Sequence, residues 1–94
     1  SIINQTFQNW EMIFWDNQSS DDSGKIVKSF DDSRIHFFRA ETHTELGEAR
    51  RLACQHVKGQ WIGVLDVDDY WLVNNLEARM SQPGSPEVGI IYSR

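Results

Sequence analysis

Lys58-Gly59-Gln60-Trp61-Ile62-Gly63-Val64-Leu65-Asp66-Val67-Asp68-Asp69 is the stretch that decides the fold. Residues 61–65 run nearly unbroken in apolar side chains, as strands covered on both faces do. The run then ends on acids. In an open parallel sheet, ligands bind beyond the carboxyl ends of the strands, so this is where chemistry is expected. In extended chain, side chains two apart point the same way, so Asp66 and Asp68 can converge on one hard cation. Mg²⁺ or Mn²⁺ held by one or two carboxylates completes its shell with phosphates and water. Carboxylates alone would repel a diphosphate, and a bridging metal reverses that sign. Asp69 points elsewhere if the strand continues. The competing local reading is a solvated turn with helix-capping carboxylates, and the short acidic motif alone does not separate a transferase from a phosphatase.

Working outward, similar apolar runs recur at Glu11-Met12-Ile13-Phe14-Trp15, Arg34-Ile35-His36-Phe37-Phe38 and Val88-Gly89-Ile90-Ile91-Tyr92. Between them lie helical patterns. Residues 20–30 place Ile26, Val27 and Phe30 at helical spacing. Residues 45–58 put Leu46, Ala49, Ala53 and Val57 on one stripe, widened by Leu52 and His56. Thr42-His43-Thr44-Glu45 suggests a capping box, and Gly59 stands where a helix C-terminal glycine would. A shorter helix is expected over 73–80, before the breaker-rich Ser81-Gln82-Pro83-Gly84-Ser85-Pro86. Strand–helix–strand alternation at this spacing predicts parallel strands joined by right-handed crossovers, an α/β fold in one domain with no repeat or linker.

The first strand ends in Trp15-Asp16-Asn17-Gln18-Ser19-Ser20-Asp21, which the same rule places at the same edge as Asp66 and Asp68, facing one crevice. Asp16 and Asn17 can accept from or donate to a base or ribose. Equally, they suit an Asx-turn into the next helix. Arg50 lies beside the apolar stripe, where its planar fork suits a phosphate or base carbonyl, although an ion pair with Glu48 or another nearby acid is the plainer reading. His36, His43 and His56 have no metal-ligand spacing and read as strand packing, loop and helix packing. Cys54 reads as a small core residue. The four Trp read as core, with Trp71 beside the acidic motif the fair exception.

The totals exclude several classes. The net charge of −5, with nine Lys and Arg in no run, argues against nucleic-acid binding. A single Cys excludes an intrachain disulfide and suits a reducing compartment. No apolar run approaches the ~20 residues that span a bilayer, and no signal peptide is visible. At 94 residues with 39% hydrophobic content, the chain is one globular domain at most, or part of one.

Four segments in register resemble family 2 glycosyltransferases of the GT-A type. The opening Ser1-Ile2-Ile3-Asn4-Gln5-Thr6-Phe7-Gln8-Asn9-Trp10-Glu11-Met12-Ile13 is similar to the family's approach to its second strand. Trp15-Asp16-Asn17-Gln18-Ser19-Ser20-Asp21 resembles its "DDGSTD" or "DNGSTD" segment. Leu46-Gly47-Glu48-Ala49-Arg50 resembles its "G-x-A-R-N" helix start, and the stretch from Lys58 to Asp69 its "KGEYIxFLDSDD" strand. The resemblance covers nearly the whole chain. It implies a three-layer α/β/α, open, mostly parallel sheet, the Rossmann-like nucleotide-sugar-binding half of the fold, with residues 1–94 a part of that domain truncated at both ends.

Carried over by position, the resemblance implies that Asp16 contacts the base, with Asn17 beside it, and that Arg50 holds uracil or diphosphate. Asp66 would approach ribose or metal, and Asp68 would be the principal metal ligand, with Asp69 supporting. The implied reaction moves a sugar from a nucleotide-diphosphate donor, a UDP-sugar first of all, to an acceptor hydroxyl, with inversion. Mn²⁺ or Mg²⁺ serves there as Lewis acid on the leaving diphosphate. A saccharide or lipid-linked acceptor, polysaccharide assembly, and a cytoplasmic place at the inner membrane face are further implications.

Departures are as informative. Gln18 stands where Gly is usual, so that turn is expected to differ. Arg51 stands where Asn usually follows Arg50. The family's first strand would precede Ser1, and the general base would follow Arg94, so no acid present takes that role. The chain alone is expected to be inactive, and to self-associate through exposed strand edges. The alternatives are another metal-dependent nucleotide enzyme, a nucleotidyltransferase or phosphatase, or a non-catalytic binding domain of the same fold.

Overall fold

The computed structural model describes residues 1–81. The strand expected at 88–92 lies outside the described residues. The chain forms two compact units, Trp10–Gly59, and Ser1–Asn9 with the residues from Gln60 on.

The Trp10–Gly59 unit is a β-α-β-α arrangement: β1 (Met12–Asp16), α1 (Ser23–Ser29), β2 (Ile35–Arg39) and α2 (Leu46–Cys54). β1 and β2 pair in parallel, in a register running from Met12↔Ile35 to Asp16↔Arg39. The expected α/β class with parallel strands is therefore what forms. Alternation along the strands sorts the aromatics by face. Phe14 and Phe37 stack at 5.8 Å between ring centroids. On this face Gly24 of α1 brings its backbone against Phe37, where an added Cβ would come within 3.2 Å of the ring. The Lys28 ammonium caps the same ring at 4.7 Å. On the other face Trp15 and Phe38 stack at 6.4 Å, and His56, just past α2, lies on Phe38 at 3.9 Å. The sheet thus carries a layer on each face, with Val27, Ala40 and Ala49 as its buried apolar residues.

Charged clips finish this unit. Arg34 makes a fork to Asp32, Nε to Oδ1 at 3.0 Å and Nη2 to Oδ2 at 2.7 Å, while its guanidinium lies 3.8 Å over the Trp10 ring. The α1 start is capped one residue early: Asp21 Oδ1 accepts the Ser23 amide at 3.0 Å, and the N-cap Asp22 makes no side-chain cap bond. Glu11 Oε1 accepts the amide of Lys58 at 3.0 Å.

The second unit contains α3 (Asn75–Met80). Its centre is Gln5, fully buried. Gln5 Nε2 donates to the Leu72 carbonyl at 2.7 Å and Oε1 accepts the Leu76 amide at 2.9 Å. Thr6 adds a backbone bond to Val73 at 2.9 Å and a hydroxyl bond to Glu77 at 2.8 Å. Trp71 packs on Gly63, where a Cβ would meet its ring at 3.0 Å.

Several expectations are corrected. Residues 61–65 form no strand: among the described residues no segment pairs with them, and Ile62 and Val64 are 54% and 61% exposed. Apolar content signals burial, whereas a strand also needs a ladder partner for its amides and carbonyls. β1 is half-buried along most of its length rather than covered throughout. No capping box forms before α2, because Glu45 is the N-cap without a side-chain bond and Thr44 is engaged elsewhere. α2 stops at Cys54, well before Gly59, which has no left-handed backbone. On the expected stripes only Val27 and Ala49 are buried, while Ile26, Phe30 and Leu46 are exposed. Cys54 is exposed too, since it lies five residues and about 140° round the helix from Ala49.

Candidate functional site

β1 ends on Asp16, so this carboxylate stands at the carboxyl edge of the parallel pair. It is 2% exposed. Oδ1 accepts the Ser19 amide, three residues on, at 2.8 Å, and Oδ2 accepts Arg39 Nη1 at 2.5 Å. Burial would raise its pKa, but the hydrogen bonds from Ser19 and the Arg39 guanidinium outweigh it and hold the carboxyl below its usual 3.8. Asp16 is ionised at neutral pH.

Asn17 uses both ends of its amide on one neighbour. Nδ2 donates to the Thr44 carbonyl at 2.7 Å and Oδ1 accepts the Thr44 amide at 3.1 Å. His43 Nδ1 meets the Asn17 carbonyl at 3.0 Å. The turn after β1 is thereby tied to the segment leading into α2. Gln18 has φ of 68°, the one positive-φ non-glycine among the described residues. This left-handed backbone, which glycine adopts without strain, costs Gln18 about 1–3 kcal/mol locally. Its side chain offsets this, donating to the Ala40 carbonyl and accepting from Arg39 Nη2 at 3.4 Å.

Arg50 lies on α2 and is exposed. Glu48, the acid expected beside it, grips Arg51 by two bonds at 2.6 and 2.8 Å. That fork pulls the Glu48 carboxyl below its ordinary value, and gives Arg51, which replaces the usual Asn, a structural partner. His36 is exposed toward Glu11, with Nε2 3.7 Å from Oε2, rather than packed in the strand.

The acids of the deciding stretch belong to the other unit. The Asp69 amide donates to the Asp66 carbonyl at 3.0 Å, closing a turn over 66–69 in which Asp66, Asp68 and Asp69 are all exposed. The extended-chain argument for Asp66 and Asp68 is therefore corrected: the backbone bends between them, and a two-residue alternation no longer fixes their common direction. Among the described residues no three His, Cys, Asp or Glu side chains cluster as a metal cage. Exposed carboxylate oxygens on one turn are nonetheless the hard donors that Mg²⁺ or Mn²⁺ takes, one or two at a time, with water and phosphate filling the rest. The donor set fits such an ion.

Arg39 is not singled out by sequence reasoning, Gln18 enters it only as a departure from glycine, and Thr44 only as part of an expected helix cap. Their roles depend on the β1–β2 register and on a contact across 27 residues, for which a single sequence carries no signal.

An acid closing a parallel strand, a left-handed turn behind it, and an acidic turn after the apolar stretch 61–65 keep the order seen in the sequence. Residues 1–92 match Glycosyl transferase family 2. The chain belongs to glycosyl transferase family 2. Among curated members it is 35% identical to the UDP-Glc:alpha-D-GlcNAc-diphosphoundecaprenol beta-1,3-glucosyltransferase WfgD of Escherichia coli, over 98% of this chain and 36% of that protein. WfaP of Escherichia coli, named for the same activity, is 32% identical over 99% of this chain and 37% of its own. The putative teichuronic acid biosynthesis glycosyltransferase TuaG of Bacillus subtilis is 32% identical over 85% and 32%. The chain thus spans about a third of the length of these family 2 relatives. No solved structure matches it. No helix of the described residues is long and apolar enough to cross a membrane.

Proposed function

We propose that this chain carries the donor side of a nucleotide-sugar-dependent, metal-assisted, inverting glycosyltransferase. The observation that carries the reading is the ionised Asp16 at the carboxyl edge of two parallel strands, in a family 2 chain. In this reading Asp16 offers its remaining acceptor capacity to a base or ribose, and Asn17, committed to Thr44, shapes the wall beside it. Arg50 supplies a planar cation for uracil or diphosphate. Asp68 as principal ligand, with Asp66 or Asp69 beside it, would hold Mn²⁺ or Mg²⁺ opposite a UDP-sugar diphosphate. The ion would supply Lewis-acid stabilisation of the leaving group.

The names of WfgD and WfaP, which act on UDP-Glc and a diphosphoundecaprenol-linked sugar, support a UDP-sugar and a lipid-linked saccharide acceptor. Such an acceptor would put the work at the inner face of the membrane, in polysaccharide assembly. No acid of residues 1–94 is assigned as general base, so these residues by themselves are proposed to be inactive. Self-association is also part of the proposal, supported by the exposed Ile62 and Val64.

Calorimetry of UDP against the full-length protein, with and without Mn²⁺, tests the reading. Binding that requires Mn²⁺ is expected. Equal affinity without the ion removes the metal from the proposal, and no binding in either buffer removes the donor site.

A further inference from the structure

We infer that Arg39 is a positioning residue for the nucleotide, acting by clipping the turn 16–19 into its binding shape. The inference deepens the proposed function and rests on its reading of Asp16. Arg39 is the last residue of β2 and the register partner of Asp16, so its guanidinium reaches the turn from the neighbouring strand. Nη1 bonds Asp16 Oδ2 at 2.5 Å and the Ser19 carbonyl at 3.2 Å. Nη2 bonds the same Ser19 carbonyl at 3.3 Å and Gln18 Oε1 at 3.4 Å. One planar group thus engages three of the four residues of the turn. A point charge cannot do this, because the separate bonds use the spread of the fork.

The turn needs such a clip. Gln18 holds a left-handed backbone without glycine's freedom, and persists only where its surroundings over-determine it. Gln18 Nε2 also donates to the carbonyl of Ala40, the residue after Arg39, so strand end and turn are laced from both sides. With Arg39 in place, the turn 16–19 is held in one shape before a ligand arrives, which spares the ordering cost at binding.

The test compares Arg39→Ala and Arg39→Lys with wild type in the full-length protein. It reads the UDP dissociation constant with Mn²⁺, the donor KM, the acceptor KM and the melting temperature. Arg39→Ala is expected to raise the UDP dissociation constant and donor KM by about tenfold, the size of one lost charge-assisted bond. The acceptor KM should stay put, and kcat should change less than donor KM. Arg39→Lys keeps the charge beside Asp16, so its melting temperature should recover while UDP affinity stays reduced.

Wild-type UDP affinity in Arg39→Ala overturns the inference, as does a uniform loss across donor KM, acceptor KM and kcat. If Arg39→Ala does not fold, Arg39→Lys decides: full UDP affinity overturns the inference and reduced affinity at normal stability upholds it. A wild-type protein that binds no UDP sinks the proposed function itself, whereas normal wild-type binding with an indifferent Arg39→Ala sinks only the role of Arg39.

Discussion

Gln5 caps helix α3 from 71 residues away, its side-chain oxygen accepting the Leu76 amide at 2.9 Å. The local N-cap, Asn74, makes no side-chain cap bond, so the distant Gln5 does that work. The same amide group donates to the Leu72 carbonyl just before the helix. Gln5→Ala therefore strands a donor and an acceptor in a partly buried place, and is expected to cost about 1–2 kcal/mol. Gln5→Glu keeps an acceptor for Leu76 but loses the donor to Leu72, so it should not rescue. Urea unfolding measures the loss, and hydrogen exchange at Leu76 should rise first.

Asn17→Asp tests the two-way pair with Thr44. The acceptor for the Thr44 amide survives, while a carboxylate oxygen replaces the donor facing the Thr44 carbonyl. Destabilisation of about 1–2 kcal/mol is expected at neutral pH. It should shrink as the pH falls and the new carboxyl regains a proton to donate. Thermal melts across pH check this.

Gln18 separates backbone strain from side-chain bonding. Gln18→Gly relieves the left-handed backbone but gives up the bonds to Ala40 and Arg39, leaving a net change within about 1 kcal/mol. Gln18→Val loses the same bonds and adds β-branched crowding at positive φ, so it should cost about 2 kcal/mol more than Gly. Equal stability of the two variants would contradict this account of the turn.

The pH dependence at the acid end has a definite sign. Asp16 and Asp32 both sit below 3.8 in the folded chain, Asp32 at about 2 through its hydrogen bonds with Arg34. The unfolded chain therefore takes up protons first as pH falls. The stabilisation is complete above the ordinary carboxyl range, and is lost from about pH 4 downward, for Asp32 until about pH 2. Carboxyl carbon NMR titration should find Asp32 still ionised at pH 3.5 and the Asp16 midpoint below the ordinary 3.8.

Asp68→Asn bears on the proposed metal. It leaves the 66–69 turn intact, because that turn is closed by backbone atoms. The Mn²⁺-dependent part of UDP affinity should fall by at least about tenfold, since even outer-sphere partners of a bound metal are worth about 10- to 100-fold. Without Mn²⁺, UDP binding should stay negligible in wild type and should not fall further in the variant.

Much of the arrangement was readable from residue order. Apolar runs at 11–15 and 34–38 lie within one residue of β1 and β2. Helical periodicity located α1 and α2, and the breakers after Met80 bounded α3, although each helix is shorter than expected. Helix ends depend on which carbonyls and amides find partners, and the caps expected at Thr42 and Gly59 were unused. The run at 61–65 misled because hydrophobicity reports a wish for burial and says nothing of a ladder partner.

By its sequence alone, the protein is an α/β chain of glycosyl transferase family 2, with acids expected after its strands, since periodicity and motif order are local properties. Only the tertiary structure decided that Asp16 faces Arg39, that Asn17 holds Thr44, and that Gln5 caps α3. Those pairings follow from strand register and from which distant backbone groups lack partners. Both are fixed by the packing of the folded chain, and no run of neighbouring residues encodes them.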